Sequence, residues 1–203
     1  MAEKSFSRKY RMFISRLFVA IIVALLIFSG SKWETRPVMS GILFMIGVML
    51  VGMATVGRLW CALYISGYKS NTLITIGPYS ISRNPLYFFS FLGAAGVGLT
   101  TETILIPIII IICFAILYPL VILSEQKKLV EIHKDAFVEY CKSTPVFFPK
   151  LSLFKEPAEY TVKPVIFRKA MFEVMWFVWL LGLTELAEAL HDARVLPILF
   201  NMY

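Results

Sequence analysis

The chain has 203 residues, of which 59% are hydrophobic and 16% charged, with a mean hydropathy of +0.77. That balance excludes a soluble globular domain and points to one membrane-embedded bundle. The net charge of +7 would suit nucleic acid, but no basic stripe with interleaved aromatics is present, and cation-rich loops on one side of a membrane account for it.

Residues 1–11 are basic (Lys4, Arg8, Lys9, Arg11) and suit a membrane surface. The apolar run 12–29 reaches about 27 Å as a helix, enough to span, with Arg16 near enough to its start to snorkel. Lys32-Trp33-Glu34 follows it in place of a small-residue cleavage site, so the run is expected to persist as a span. Residues 38–59 form the second expected span. Its Gly41, Gly47, Gly52 and Gly57 favour close helix packing, and Arg58 and Trp60 at its end read as a snorkelling cation and an interfacial aromatic. Residues 61–76 read as interfacial.

The next stretch, Gly77-Pro78-Tyr79-Ser80-Ile81-Ser82-Arg83-Asn84-Pro85-Leu86-Tyr87, is polar and aromatic between two apolar runs. Each proline pushes its predecessor out of the helical region, so Gly77 and Asn84 are expected to be extended, and Pro85 suits a helix start. A shorter span, 85–99, follows. Its glycines Gly93, Gly96 and Gly98 read as packing positions because no soluble strand precedes them as a nucleotide loop would need.

A polar hairpin at Thr100–Thr103 leads to the fourth span, 104–123, which carries Pro107 and Pro119. It continues as Glu125-Gln126-Lys127-Lys128-Leu129 and on through Phe137 and Tyr140 to breaks at Pro145 and Pro149. Lys127 and Glu131 read as a surface pair, whereas Glu125, where the apolar run ends, should seek a cation. Residues 150–169 read as a mixed-charge linker, and 170–190 as a fifth span rather than an interfacial helix.

With the N-terminus inside, seventeen of the twenty basic residues fall on the cytoplasmic side. The Thr100–Thr103 hairpin makes its two helices antiparallel neighbours, so Arg83, Asn84, Tyr79 and Glu125 can meet on that face. The expected architecture is an all-α integral membrane protein of about five transmembrane helices with a cytoplasmic-face cofactor pocket, in a bacterial inner membrane. It divides into residues 1–37 (basic segment, first span and hairpin), a core at 38–150, and a linker plus hydrophobic helix at 151–203. The three cysteines, Cys61, Cys113 and Cys141, form no CxxC pair, and His133 and His191 are far apart, so neither a disulfide framework nor a metal site is expected.

A carboxylate, a guanidinium, an amide and two tyrosine rings suit a small zwitterion with an additional positive charge. Its amino group would take Glu125, its carboxylate Arg83, and its cationic centre the face of Tyr79 or Tyr87. S-adenosylmethionine meets this description, and so do other cationic ligands.

Gly77-Pro78-Tyr79 followed by Arg83-Asn84-Pro85-Leu86-Tyr87 resembles the signature of the isoprenylcysteine carboxyl methyltransferase and phospholipid methyltransferase group. Glu125-Gln126-Lys127-Lys128-Leu129 with Phe137, Tyr140, Pro145 and Pro149 looks like the second motif of that group, and Gly57-Arg58-Leu59-Trp60 is similar to the approach in bacterial members. The resemblance covers about residues 40 to 150. It implies methyl transfer from S-adenosylmethionine to an amphiphile resembling an isoprenylcysteine carboxylate or a phospholipid headgroup. It assigns cofactor contacts to Gly77, Pro78, Tyr79, Arg83, Asn84, Pro85, Tyr87, Glu125, Gln126, Leu129 and Tyr140, and catalytic roles to Arg83, Glu125 and Arg58. The implied partners are the bilayer and a lipid substrate, without nucleic acid or metal, and an oligomer is compatible. Three positions depart from the group: Asn84 where His is frequent, Gln126 for a second Glu, and His133-Lys134 for Phe-Gly. These bear on the acceptor more than on the cofactor. The rival readings are a nicotinamide-dependent membrane reductase resembling the sterol reductases and a non-catalytic scaffold of the same fold.

Overall fold

A computed structural model describes residues 24, 28–31, 36–68 and 72–202. In chain order the elements are β1 (Ser29–Ser31), α1 (Pro37–Ile65), α2 (Pro78–Ile81), α3 (Pro85–Leu99), α4 (Leu105–Ser143), a 3-10 turn (Leu151–Leu153), α5 (Pro164–Val174), α6 (Trp176–Asp192) and β2 (Phe200–Met202). Four of the helices, α1, α2, α3 and α5, open on a proline in the first turn, where the missing N–H has no intrahelical partner to lose. Helix α4 stops where Thr144, ahead of Pro145, turns extended (φ −112°, ψ 128°).

The protein is an all-α integral membrane protein. Among the described residues, three helical stretches, Pro37–Ile65, Leu105–Ser143 and Pro164–Asp192, are long and apolar enough to cross a membrane, and Pro85–Leu99 is a shorter apolar helix. The first expected span, 12–29, lies almost wholly outside the described residues. Large apolar side chains such as Met45, Val56, Ile116, Leu120, Trp176 and Trp179 are exposed on the outer faces of α1, α4 and α6. An apolar surface this extensive is suited to lipid.

Two boundaries differ from expectation. Helix α1 runs on to Ile65, because Cys61–Ile65 contains no breaker before Ser66 and the left-handed Gly67 (φ 85°). Residues 61–65 are therefore helix, with Cys61, Ala62 and Tyr64 buried. The last span begins at Pro164 instead of Ala170. Inside α4, Lys134 adopts φ 46°, ψ −123°, which interrupts the helix.

The core lies between α1, α3 and α4, where Val51, Val97, Ile106 and Ile110 pack together with Phe177 and Leu180 of α6 against them. Backbones of α1 and α3 nearly touch: a Cβ on Gly96 would stand 2.8 Å from the Gly47 carbonyl oxygen. Small residues make this approach possible and gain dispersion contact along both helices. At the Thr100 end the buried polar groups close on one another. The Thr100 and Thr184 hydroxyls are 3.1 Å apart, Thr101 and Thr103 2.9 Å, and Ser40 bonds the Glu102 carboxylate while Ser31 donates to the Glu102 carbonyl at 2.7 Å. A parallel ribbon ties Ser29–Ser31 to Phe200–Met202 there.

Candidate functional site

The proline-punctuated motif forms a turn, the four-residue α2 and the start of α3 at the opposite end of the bundle. Gly77 is not extended; it adopts φ 57°, ψ −132°, and a Cβ there would meet the Tyr64 ring at 2.5 Å. Only glycine fits both the left-handed backbone and the aromatic wall. Asn84 leaves the helical region as Pro85 requires, at φ −129°, ψ 53°, short of full extension.

Later residues hold this turn in place. Gly77 donates its N–H to the Lys155 carbonyl at 2.8 Å, and the Lys155 N–H donates to Ser80 Oγ at 3.0 Å. The Tyr140 hydroxyl donates to the Tyr79 carbonyl at 2.6 Å, and the Tyr64 hydroxyl to the Glu156 carboxylate at 2.8 Å. Tyr160 donates to the Tyr64 carbonyl at 2.7 Å, and Lys163 reaches the Gly67 carbonyl at 2.9 Å. Residues 155–163, legible in the sequence only as a linker, therefore buttress the motif.

Arg58 does not snorkel. Because α1 continues past it, its side chain turns inward, bonds the Ser90 hydroxyl and lies 5.6 Å from the Phe177 ring centre. A cation inside a span gains more from polar and aromatic neighbours than from hydrocarbon. The Tyr79 phenol lies within electrostatic reach of Arg58, Glu125, Tyr140 and Cys61. Burial above all pushes that phenol well above the usual range; Cys61, Tyr140 and Glu125 raise it further and Arg58 opposes them. Tyr79 is thus a neutral donor at working pH. Arg83 donates to Cys141 Sγ at 3.1 Å.

Among the described residues, five buried polar atoms lack a protein hydrogen-bond partner: Arg58 Nε, Tyr79 Oη, Arg83 Nε, Gln126 Nε2 and His133 Nε2. Buried donors left so are costly. Two guanidinium edges and a phenol fit a ligand carrying a carboxylate, and the Glu125 carboxylate beside Tyr79 fits an ammonium. Gln126 and His133 are seven apart on the half-buried stripe of α4 that also holds Leu129.

Of the residues singled out from sequence, Arg58, Glu125 and Tyr140 lie within electrostatic reach of the Tyr79 phenol, and Arg83 lies beside Tyr140 and Cys141. No ion pair within 4 Å joins Arg83 to Glu125. Gly77 packs toward Tyr64 and Lys155, Pro78 is buried in α2 and Pro85 at the head of α3, and Tyr87 meets the Tyr118 ring edge-on at 5.1 Å. The amide of Asn84 bonds the Val146 carbonyl at 2.8 Å. Sequence reasoning missed Tyr64, Ser90 and Cys141. Their partners lie far away in the chain, and no local spacing marks them.

The sequence profile of the phospholipid methyltransferase family matches residues 35–136. The chain is similar to the cobalt-zinc-cadmium resistance protein CzcN of Cupriavidus metallidurans, 41% identical over 195 residues that cover 96% of this chain and 89% of the relative. It is also similar to the nickel-cobalt-cadmium resistance protein NccN of Alcaligenes xylosoxydans xylosoxydans, 42% identical over 190 residues covering 94% of this chain and 87% of the relative. No solved structure matches significantly.

Proposed function

Because this chain belongs to the phospholipid methyltransferase family, we propose that it is an integral membrane methyltransferase that uses S-adenosylmethionine at the cytoplasmic face and methylates an amphiphile drawn from the bilayer. The observation that carries the reading is the set of buried, partnerless donors on Arg58, Tyr79 and Arg83, with the Glu125 carboxylate within electrostatic reach of Tyr79.

S-adenosylmethionine, when bound, supplies an activated methyl group. Arg83 would hold the carboxylate of the donor through its guanidinium edge, and Glu125 would hold its amino group. The Tyr79 hydroxyl, neutral and buried, orients the donor by donating one hydrogen bond. Arg58, fixed by Ser90 and Phe177, steers an anionic acceptor head toward the same place. Alignment of the two reactants supplies most of the acceleration. A carboxylate or thiolate acceptor needs no base. An amine acceptor must lose its proton, which would call on Glu125 or a tyrosine.

The names of both relatives refer to metal resistance. Methylating a lipid-borne carboxylate removes an anionic charge from the membrane surface, which lowers the local concentration of divalent cations. This links the proposed chemistry to that physiology. The test is transfer of a labelled methyl group from S-adenosylmethionine into lipids of membranes holding the protein. A labelled, lipid-extractable product is expected. Folded protein that binds S-adenosylhomocysteine yet yields no product would favour the scaffold reading.

A further inference from the structure

The loop after α4 folds back against the membrane helices. The Phe147 ring lies 5.8 Å from Phe88 and 6.0 Å from Phe91 of α3, and 6.2 Å from Phe114 of α4. Phe91 stands about 9 Å into the apolar helix from Pro85, and Phe114 about 14 Å from the far end of α4. The loop therefore delivers a ring into the hydrocarbon half-layer on the motif side. Phe148 is edge-on to Phe147 at 5.3 Å and remains 72% exposed.

Irregular backbone at that level must have its carbonyls satisfied by protein. Three successive carbonyls are: Pro145 accepts from the Arg83 N–H at 2.9 Å, Val146 from the Asn84 side-chain amide at 2.8 Å, and Phe147 from Ser82 Oγ at 2.9 Å. The motif residues Ser82, Arg83 and Asn84 thus form a hydrogen-bond cradle for the loop. From Phe147 the aromatic set is continuous inward. Phe114 stacks on Tyr118 at 3.3 Å, Tyr118 meets Tyr87, and Tyr118 lies within electrostatic reach of Arg58.

Building on the methyltransferase reading, we propose that Pro145–Pro149 is a wedge that seats the hydrocarbon chain of the acceptor between α3 and α4, and that Asn84 is a positioning residue for that wedge rather than a contact to the methyl donor. The occupant is the apolar tail of one amphiphile, because the exposed side of the wedge continues the lipid-facing surface of the spans while its inner side leads to Arg58. A tail laid along Phe148, Phe147 and Tyr118 brings an anionic or neutral head to the guanidinium.

The test uses a fatty acid bearing a chain-terminal diazirine, photolysed with the full-length protein in nanodiscs, with crosslinks mapped by peptide mass spectrometry. Wild-type protein is expected to label most strongly at residues 144–149. Asn84→Ala should reduce that label by about tenfold, with S-adenosylhomocysteine affinity by calorimetry held within about twofold; Asn84→Gln should restore part of the label. Phe147→Leu, which leaves the cradle intact, should also reduce the label and guards against a misfolded Asn84 variant. Label spread evenly over the outer faces of α1 and α4, or equal label in wild type and both variants, overturns the proposal. Parallel loss of label and S-adenosylhomocysteine affinity in Asn84→Ala overturns the positioning role. A wild-type protein that labels at the wedge but does not bind S-adenosylhomocysteine sinks the methyl-donor reading and leaves the wedge standing.

Discussion

The two ends of the bundle both bury polar side chains, and they treat them oppositely. At the Thr100 end, hydroxyls pair with hydroxyls, and Ser40 and Ser31 converge on Glu102, beside a short ribbon that joins residues 29–31 to residues 200–202. At the motif end, Arg58, Tyr79 and Arg83 keep buried donor atoms that no protein group accepts. Polar groups in an apolar bundle are costly unless bonded. The first end resolves that cost within the protein and acts as a lock, whereas the second leaves buried donors without a protein acceptor. Burial alone does not separate a structural polar cluster from a binding one; partner accounting does.

The sharpest break of this contrast is the double substitution Arg83→Ala with Glu125→Ala. It should weaken S-adenosylhomocysteine binding by about a hundredfold, or ~2.7 kcal/mol, in calorimetry, while each single change costs more than about tenfold. Unchanged affinity in both singles would put the ligand elsewhere. Gly77→Ala comes next. A methyl group 2.5 Å from the Tyr64 ring at φ 57° should destabilise the fold by about 2 kcal/mol, read as a lower detergent-solubilised Tm. Thr184→Val at the other end leaves Thr100 without its 3.1 Å partner. It should cost about 1 kcal/mol of stability and leave ligand affinity unaltered; a loss of affinity there would erase the distinction between the ends. Gly52→Ala is the smallest effect. No atom lies within 4 Å of its added carbon, so stability should change by less than about 1 kcal/mol, and upward, since alanine favours the helix.

Much of the fold was legible because apolar run length and proline placement are local signals. Pro85 opens α3 as its placement implies, and Leu105–Ser143 carries the most apolar run straight into its charged extension; Pro164, by contrast, opens α5 within a stretch that reads from sequence as linker. Arg58 was misread as snorkelling because hydropathy ended α1 at Leu59, whereas the helix continues and turns the cation inward toward Ser90. Glu125 and Tyr79 share an electrostatic neighbourhood, as the hairpin geometry implied, yet Glu125 and Arg83 form no direct pair. Tyr64 with Glu156 and Asn84 with Val146 were out of reach, since each joins residues distant in the chain through one hydrogen bond that no periodicity announces. Lys134 is a different case. Its left-handed backbone (φ 46°) stands where the resemblance expects glycine, so the departure noted in the sequence is a strained position in the fold.

The most direct measurement is a calorimetric titration of purified, folded protein with S-adenosylhomocysteine. Saturable one-site binding at about micromolar affinity, lost when Arg83 and Glu125 are both replaced by alanine, is the expected result. Undetectable binding at millimolar ligand, or full affinity in the double variant, would contradict the assignment of the motif end as a methyl-donor site.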